Sequence, residues 1–345
     1  MQDNLVDYLI ENSDKKVSYY LNLIRYELSG KIYSFGEHIK HPKEGAPKHA
    51  FIWKDYTEFI AIYFLKKKNK PGKKKILSSA YSKWNRHLEC LGYDVYRPPW
   101  NLSRDFKIES SAELYLLTKK IKRCFNNCNF NYLISSNFLL LVERYHSLFK
   151  EFCTTNSYDA LIVPNDVGFF EKLAINVFKE LGKPGFFWAH GGVPNIYDGK
   201  MDNRTDFSIQ WGQQQADAYI KMGFDSSKML VSGHPIYNKC PQNLKFELDE
   251  ILVLTKSLNN TCPLDKPHLE DRGNAIMYLL SIQKVLQNLG VKKVRLRPHP
   301  AENYNWYAKF IDCLFFEQDK SDFTHSLKKS TLVIGPISTS FIDAL

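Results

Sequence analysis

The chain has 345 residues, of which 44% are hydrophobic and 24% charged, and a net charge of +10. This length accommodates two domains of ordinary size, and the apolar fraction argues against wholesale disorder. Seven scattered cysteines, with Cys124 and Cys128 the only close pair, argue against a secreted disulfide framework and a structural zinc site.

The first residues are polar, without the charged-then-apolar pattern of a signal peptide. Leu5, Tyr8, Leu9, Tyr19, Tyr20, Leu23, Ile24 and Leu28 fall near helical spacing, predicting a helix over residues 1–29 that stops at Gly30. Residues 31–35 and 49–53 read as short strands. Residues 66–75 (KKKNKPGKKK), from Lys66 to Lys75, carry part of the charge excess. They suit a solvated loop, or a peripheral contact with an anionic membrane surface at about 1 kcal/mol per lysine. No nucleic-acid motif accompanies them, so nucleic acid is not an expected partner. The apolar runs are too short to span a bilayer, and a cytoplasmic protein is expected, with contact at the inner membrane face as the reading for the lysine run.

A strand over residues 75–80, a helix over 81–91 and a strand over 94–96 follow, an order that implies parallel pairing. Arg97-Pro98-Pro99-Trp100 breaks the pattern. Residues 111–125 and 137–152 are helical. The most legible unit comes next. A strand over residues 160–163 ends in Pro164-Asn165-Asp166. Phe169, Leu173, Val177 and Leu181 then give a broad apolar helix face, together with Phe170, Ala174 and Phe178, and Gly182 stops the helix. A strand over residues 185–189 leads into His190-Gly191-Gly192. A further strand, helix and strand cover 207–211, 213–222 and 229–232. A polar connector over residues 241–250 divides an N-terminal domain, 1–240, from a C-terminal domain, 241–345.

In the second domain, strands at 251–254, near 314–316 and from Leu332 flank a helix over 273–289. Between them lies Val-Arg-Leu-Arg-Pro-His-Pro, residues 294–300. Pro298 ends the pairing, which leaves Arg297 and His299 at the carboxyl end of a strand, where ligands bind in open α/β sheets. A cation and an imidazole there suit a phosphate or diphosphate. The last strand runs into Gly-Pro and then Ser338, Thr339 and Ser340 before a helix start, another anion-binding arrangement. The chain ends inside that expected helix, so the second domain is expected to be incomplete. In the first domain, Asp166 is either a helix cap or a general base, and His190 either a satisfied turn residue or a catalytic group. No Gly-x-Gly-x-x-Gly, P-loop or His-Glu-x-x-His occurs, which disfavours dinucleotide oxidoreductases, P-loop kinases and metal hydrolases.

These residues resemble the two-Rossmann-domain, GT-B type of glycosyltransferase over residues 158–345. Arg-Pro-His-Pro and Ile-Ser-Thr-Ser look like the His-Pro and Ser-Ser/Thr motifs of bacterial sialyl-, polysialyl- and Kdo transferases. The resemblance implies an α/β fold of two Rossmann-like domains facing a cleft. It also implies that His299, Ser338 and Thr339 bind the phosphate of a CMP-sugar, with no cofactor and no metal. The acidic base of those families would match Asn165-Asp166-Val167-Gly168, which departs by an Asn and an inserted Val. Teichoic-acid polyol-phosphate transferases offer a second template, through Trp188-Ala189-His190-Gly191-Gly192. On that template His190 is the base and the donor is CDP-glycerol or CDP-ribitol. The implied partners are a nucleotide sugar and a glycan or glycolipid acceptor in capsule or lipopolysaccharide synthesis. A nucleotide-sugar epimerase or a non-catalytic nucleotide-binding module are the alternatives.

Overall fold

The computed structural model describes residues 3–32, 55, 57–61, 74–103, 105–188, 204–234, 248–255, 269–300 and 302–336. The chain divides into two compact units, Met1–Ile236 and Tyr237–Leu345. Both are α/β with wholly parallel sheets among the described residues, the Rossmann-like class that the strand–helix–strand order predicts. Among the described residues no helix is long and apolar enough to cross a membrane.

The first unit begins with three helices, α1 (Asp3–Glu11), α2 (Lys15–Leu23) and α3 (Arg25–Ile32). The single helix expected over residues 1–29 is therefore broken. Asp14 is extended and its side chain accepts from the amides of Lys16 and Val17, which starts a new helix. Gly30 lies inside α3 rather than ending it, and Lys31 and Ile32 belong to α3 rather than to a strand. The remainder of that expected strand, and the one at 49–53, lie outside the described residues.

Then follow β1 (Lys75–Ser78), α4 (Ser82–Cys90), β2 (Asp94–Tyr96), α5 (Ala112–Asn127), α6 (Phe130–Leu133), α7 (Ser136–Asn156), β3 (Ala160–Val163), α8 (Phe169–Glu180), β4 (Gly185–Trp188), β5 (Phe207–Gln210), α9 (Gln213–Lys221) and β6 (Met229–Val231). The sheet order is β2-β1-β3-β4-β5-β6. Successive side chains point to opposite faces, so β1, β2 and β3 each feed two cores. Leu77, Leu161 and Val163 join the large core with α5, α7 and α8. Ile76, Val95 and Ile162 join a smaller one with Trp84 and Leu88 of α4. Helix α8 is buried against the sheet and also beneath α2 and α3, which explains its wide apolar face. From β1 the chain moves outward to β2, and from β3 it moves outward in the opposite sense. The crevice at the carboxyl ends of β1 and β3 is thus the topological switch point.

The second unit contains β7 (Ile251–Leu254), α10 (Leu269–Asn288), β8 (Val294–Arg297), α11 (Tyr304–Tyr307), β9 (Phe316–Gln318), α12 (Phe323–Lys329) and β10 (Leu332–Ile334), with sheet order β10-β7-β8-β9. Val294 and Leu296 enter a core with Ile251, Val253, Leu279, Leu286 and Tyr307, while Arg295 and Arg297 take the opposite face of β8. The strand expected near 314–316 starts only at Phe316. Asp312 accepts from the amide of Leu314 at 2.8 Å, so the preceding residues form a turn and Leu314 is exposed.

Candidate functional site

In the second unit, three strand ends meet around His299. Thr255 follows β7, Arg297 closes β8 and Asp319 follows β9. The backbone N–H of His299 donates to Thr255 Oγ1 at 3.0 Å and to Glu302 Oε2 at 3.1 Å. Thr255 in turn donates to Glu302 Oε2, and the Tyr307 hydroxyl donates to Glu302 Oε1 at 2.9 Å. Burial beside the Glu302 carboxylate raises the Tyr307 phenol well above its ordinary range, so it stays a donor at all working pH. The Pro-His-Pro turn is therefore pinned through its main chain, and the His299 side chain is exposed at the sheet edge.

Arg297 extends toward the β9 side. Its Nη1 donates to Asp319 Oδ1 at 3.4 Å, the Ser321 carbonyl at 2.6 Å and Ser326 Oγ at 3.3 Å, and its guanidinium lies 5.3 Å from the Phe323 ring centroid. Arg295 shares the same acid, with Nη1 3.0 Å from Asp319 Oδ2. Asp319, whose side chain is 1% exposed, is thus shared by the two arginines, and Arg295 Nε also lies 3.4 Å from Glu250 Oε2. The hydrogen bonds of Arg297 found among the described residues all run through Nη1, while its side chain is one-quarter exposed. Ser338, Thr339 and Ser340, expected beside it, lie outside the described residues, as does His190 of the first unit.

In the first unit, Asp166 sits in the loop after β3, and its side chain is 19% exposed. It does not cap α8. That role falls to Glu27, whose Oε1 accepts from the Phe169 amide at 2.9 Å, and to Asn165, whose Oδ1 accepts from the Gly168 amide at 3.4 Å. Asp166 instead faces Arg204, whose Nη1 donates to the Asp166 carbonyl at 3.0 Å and lies 3.9 Å from its carboxylate.

Two further carboxylates converge on the start of α8. Glu27 has a partly exposed stem, but its Oε2 is buried without a hydrogen-bond partner. Desolvation lifts its pKa from 4.5 to about 7 against the pull of the Phe169 amide and Lys172. Glu171 accepts from Trp100 Nε1 at 2.9 Å, and burial raises its pKa as well. Sequence reasoning missed Glu27, Glu171, Arg204, Thr255, Glu302 and Asp319. A Glu three residues after His299 was the one local signal, since it can reach back to the amide of the turn.

No protein-family model and no curated protein matches the chain. Among solved structures it is similar to a glycosyltransferase from Rickettsia africae (12% identity, TM-score 0.44, covering 79% of this chain and 76% of that one). It is similar to the UDP-GlcNAc 2-epimerase of Neisseria meningitidis bound to UDP-GlcNAc (11% identity, TM-score 0.42, 76% of each chain). It is also similar to S. aureus MnaA with UDP (13% identity, TM-score 0.43, 79% of this chain and 76% of that one). Similarities of this size leave the activity to be argued from the residues.

Proposed function

We propose that the protein is an inverting, metal-independent glycosyltransferase of the GT-B type. It would move a sugar from a nucleotide-activated donor, with a CMP-linked ulosonic or sialic-type sugar as the first choice, to a glycan acceptor in capsule or lipopolysaccharide synthesis. The observation that carries this reading is the pinned strand-end turn of the second unit, which holds His299 at the sheet edge beside an arginine whose hydrogen bonds among the described residues use one nitrogen only. A donor phosphate at that edge meets Arg297 and His299, and Ser338, Thr339 and Ser340 are the hydroxyls expected to join them. These groups stabilise the charge that develops on the leaving phosphate as the glycosidic bond breaks. The acceptor hydroxyl loses its proton to Asp166, which faces Arg204, or to His190 on the polyol-phosphate template.

Donor turnover by wild type and His299→Ala tests the phosphate role. The mutant is expected to lose at least 100-fold, about the worth of one oxyanion-type contact, and unchanged transfer would remove the claim. Asp166→Ala against His190→Ala separates the two bases. A thermal-shift screen with CMP, CDP, UDP and GDP identifies the nucleotide, since a ligand of the folded state raises apparent stability. Conversion of a nucleotide sugar in the absence of acceptor would identify an epimerase instead.

A further inference from the structure

Arg97 is a buried cation without a carboxylate. It follows β2, is 3% exposed, and has no acidic side chain within 4 Å among the described residues. Its Nη1 donates to the carbonyls of Ser78 and Ala80 and its Nη2 to Ser82 Oγ at 3.0 Å, while its Nε is buried without a partner. The guanidinium packs 4.6 Å from the centroid of the Phe106 ring. Asp105 acts on Arg97 only at longer range and is ion-paired with Arg86 at 3.5 Å. Leaving a buried charge this poorly compensated costs several kcal/mol, so such a group calls for an explanation.

The loop above Arg97 supplies one. The Ser79 carbonyl accepts from Asn101 Nδ2 at 2.8 Å, and the Ala80 carbonyl accepts from Asn85 Nδ2 at 3.3 Å as well as from Arg97. The carbonyls between β1 and α4 are therefore all engaged from within. At the start of α4, no side chain caps the helix, and the amides of Ser82, Lys83 and Trp84 have no acceptor among the described residues. Ser79 Oγ, in a residue 5% exposed, is likewise buried without a partner. This point is also the switch point of the first sheet, between β1 and β3. Four features therefore favour negative charge at one spot: a buried guanidinium, three open amides, an idle hydroxyl and the positive end of a helix dipole.

We propose that the start of α4 is an anion site that binds a phosphate or diphosphate group, with Arg97 beneath it and Ser79, Ser82 and the Ser82–Trp84 amides around it. The anion compensates Arg97 through Ser82 and takes the open donors. Resting on the transferase reading, this makes the acceptor a phosphorylated or diphosphate-linked glycan, bound by the first unit through its charged end. The site itself does not depend on that reading, because binding can be measured without transfer.

The test is hydrogen–deuterium exchange of the full chain with inorganic pyrophosphate and, separately, geranyl pyrophosphate. Protection of residues 79–86 by either ligand is expected. Equal protection by both shows that the diphosphate alone is read, and stronger protection by the geranyl ester shows a lipid-linked ligand. No protection there by either ligand overturns the proposal, whatever happens at residues 294–300, which report separately on the donor site. Ser82→Asp places a fixed carboxylate against Arg97; it is expected to raise the melting temperature and abolish protection. Retained protection in that variant would also overturn the site. Arg97→Gln is expected to weaken pyrophosphate about tenfold, the worth of one charge-assisted hydrogen bond.

Discussion

Replacing Glu27 by Gln should change how the stability of the first unit responds to pH. The Glu27 carboxyl reaches the first turn of α8 from α3, 142 residues earlier in the chain, and accepts from the Phe169 amide at 2.9 Å. Its other oxygen is buried without a partner. Burial dominates over the attraction of Lys172, and the charge of Glu171 adds to it, so the pKa rises from 4.5 to about 7. That rise corresponds to roughly 3 kcal/mol that the ionised form costs in the folded state. Because the folded pKa is the higher one, the folded chain holds the proton more tightly between pH 4.5 and 7. Stability therefore falls as pH rises through that window and stays lower above it.

Glutamine keeps the acceptor for Phe169 and never ionises. At pH 5 the two proteins should differ by less than about 1 kcal/mol. At pH 8 Glu27→Gln should be the more stable by up to roughly 3 kcal/mol, the cost it removes. Five of the six tryptophans lie in the first unit, so urea unfolding followed by fluorescence in a Trp306→Phe background reports on that unit alone. If the variant tracks wild type across pH 5–8, Glu27 is not the group that carries the burden, and the reading of the α8 start as a desolvated acid site is wrong.

Three further outcomes follow from the same geometry. Asp319→Asn removes the buried carboxylate shared by Arg295 and Arg297, leaving Arg295 with Glu250, and should destabilise the second unit by about 3 kcal/mol, measured by exchange protection of β8. A Cβ on Gly168 would sit 2.9 Å from Glu171 Oε2, so Gly168→Ala should push Glu171 off Trp100 Nε1 and cost about 1–2 kcal/mol, visible as a changed Trp100 fluorescence. Burial against Trp84 and Trp211 lowers the His234 pKa to about 4, so the folded chain resists its protonation. Stability should fall as pH drops from 6.5 toward 4, and His234→Phe should flatten that part of the profile in the same urea assay.

β3 and β7 were legible because burial on both faces leaves an apolar run, α8 because its apolar residues recur at helical spacing, and Gly182, with φ +63, stops α8 where its lack of a Cβ predicts. The α1–α2 break was also written in the chain, as Asn12-Ser13-Asp14, but the apolar spacing on either side stays nearly in phase and conceals it. Glu27 and Asp319 could not be read. Each acts on a partner brought near only by the fold, Phe169 for the first and the two arginines of β8 for the second, and neither lies in a local pattern. Arg97 read as a chain-breaking residue beside two prolines. Its significance comes from the absence of a nearby carboxylate, which no sequence pattern signals.

The way the His299 turn is built determines how much its mutation can teach. Three contacts that fix this turn use the His299 main chain: its N–H binds Thr255 and Glu302, and its carbonyl accepts from the Glu302 amide at 2.8 Å. Alanine keeps all three, so His299→Ala should leave the unfolding free energy within about 0.5 kcal/mol of wild type, as surface substitutions do. Glu302→Gln is the complementary change. It leaves the imidazole intact but weakens the acceptor shared by Thr255 and the His299 amide, so it should lower stability and loosen the turn together. If His299 acts through its side chain, the first variant loses donor turnover without losing stability, while the second loses some of both. Equal effects of the two variants on both readouts would mean that the turn serves the fold and that the imidazole has no part in the chemistry.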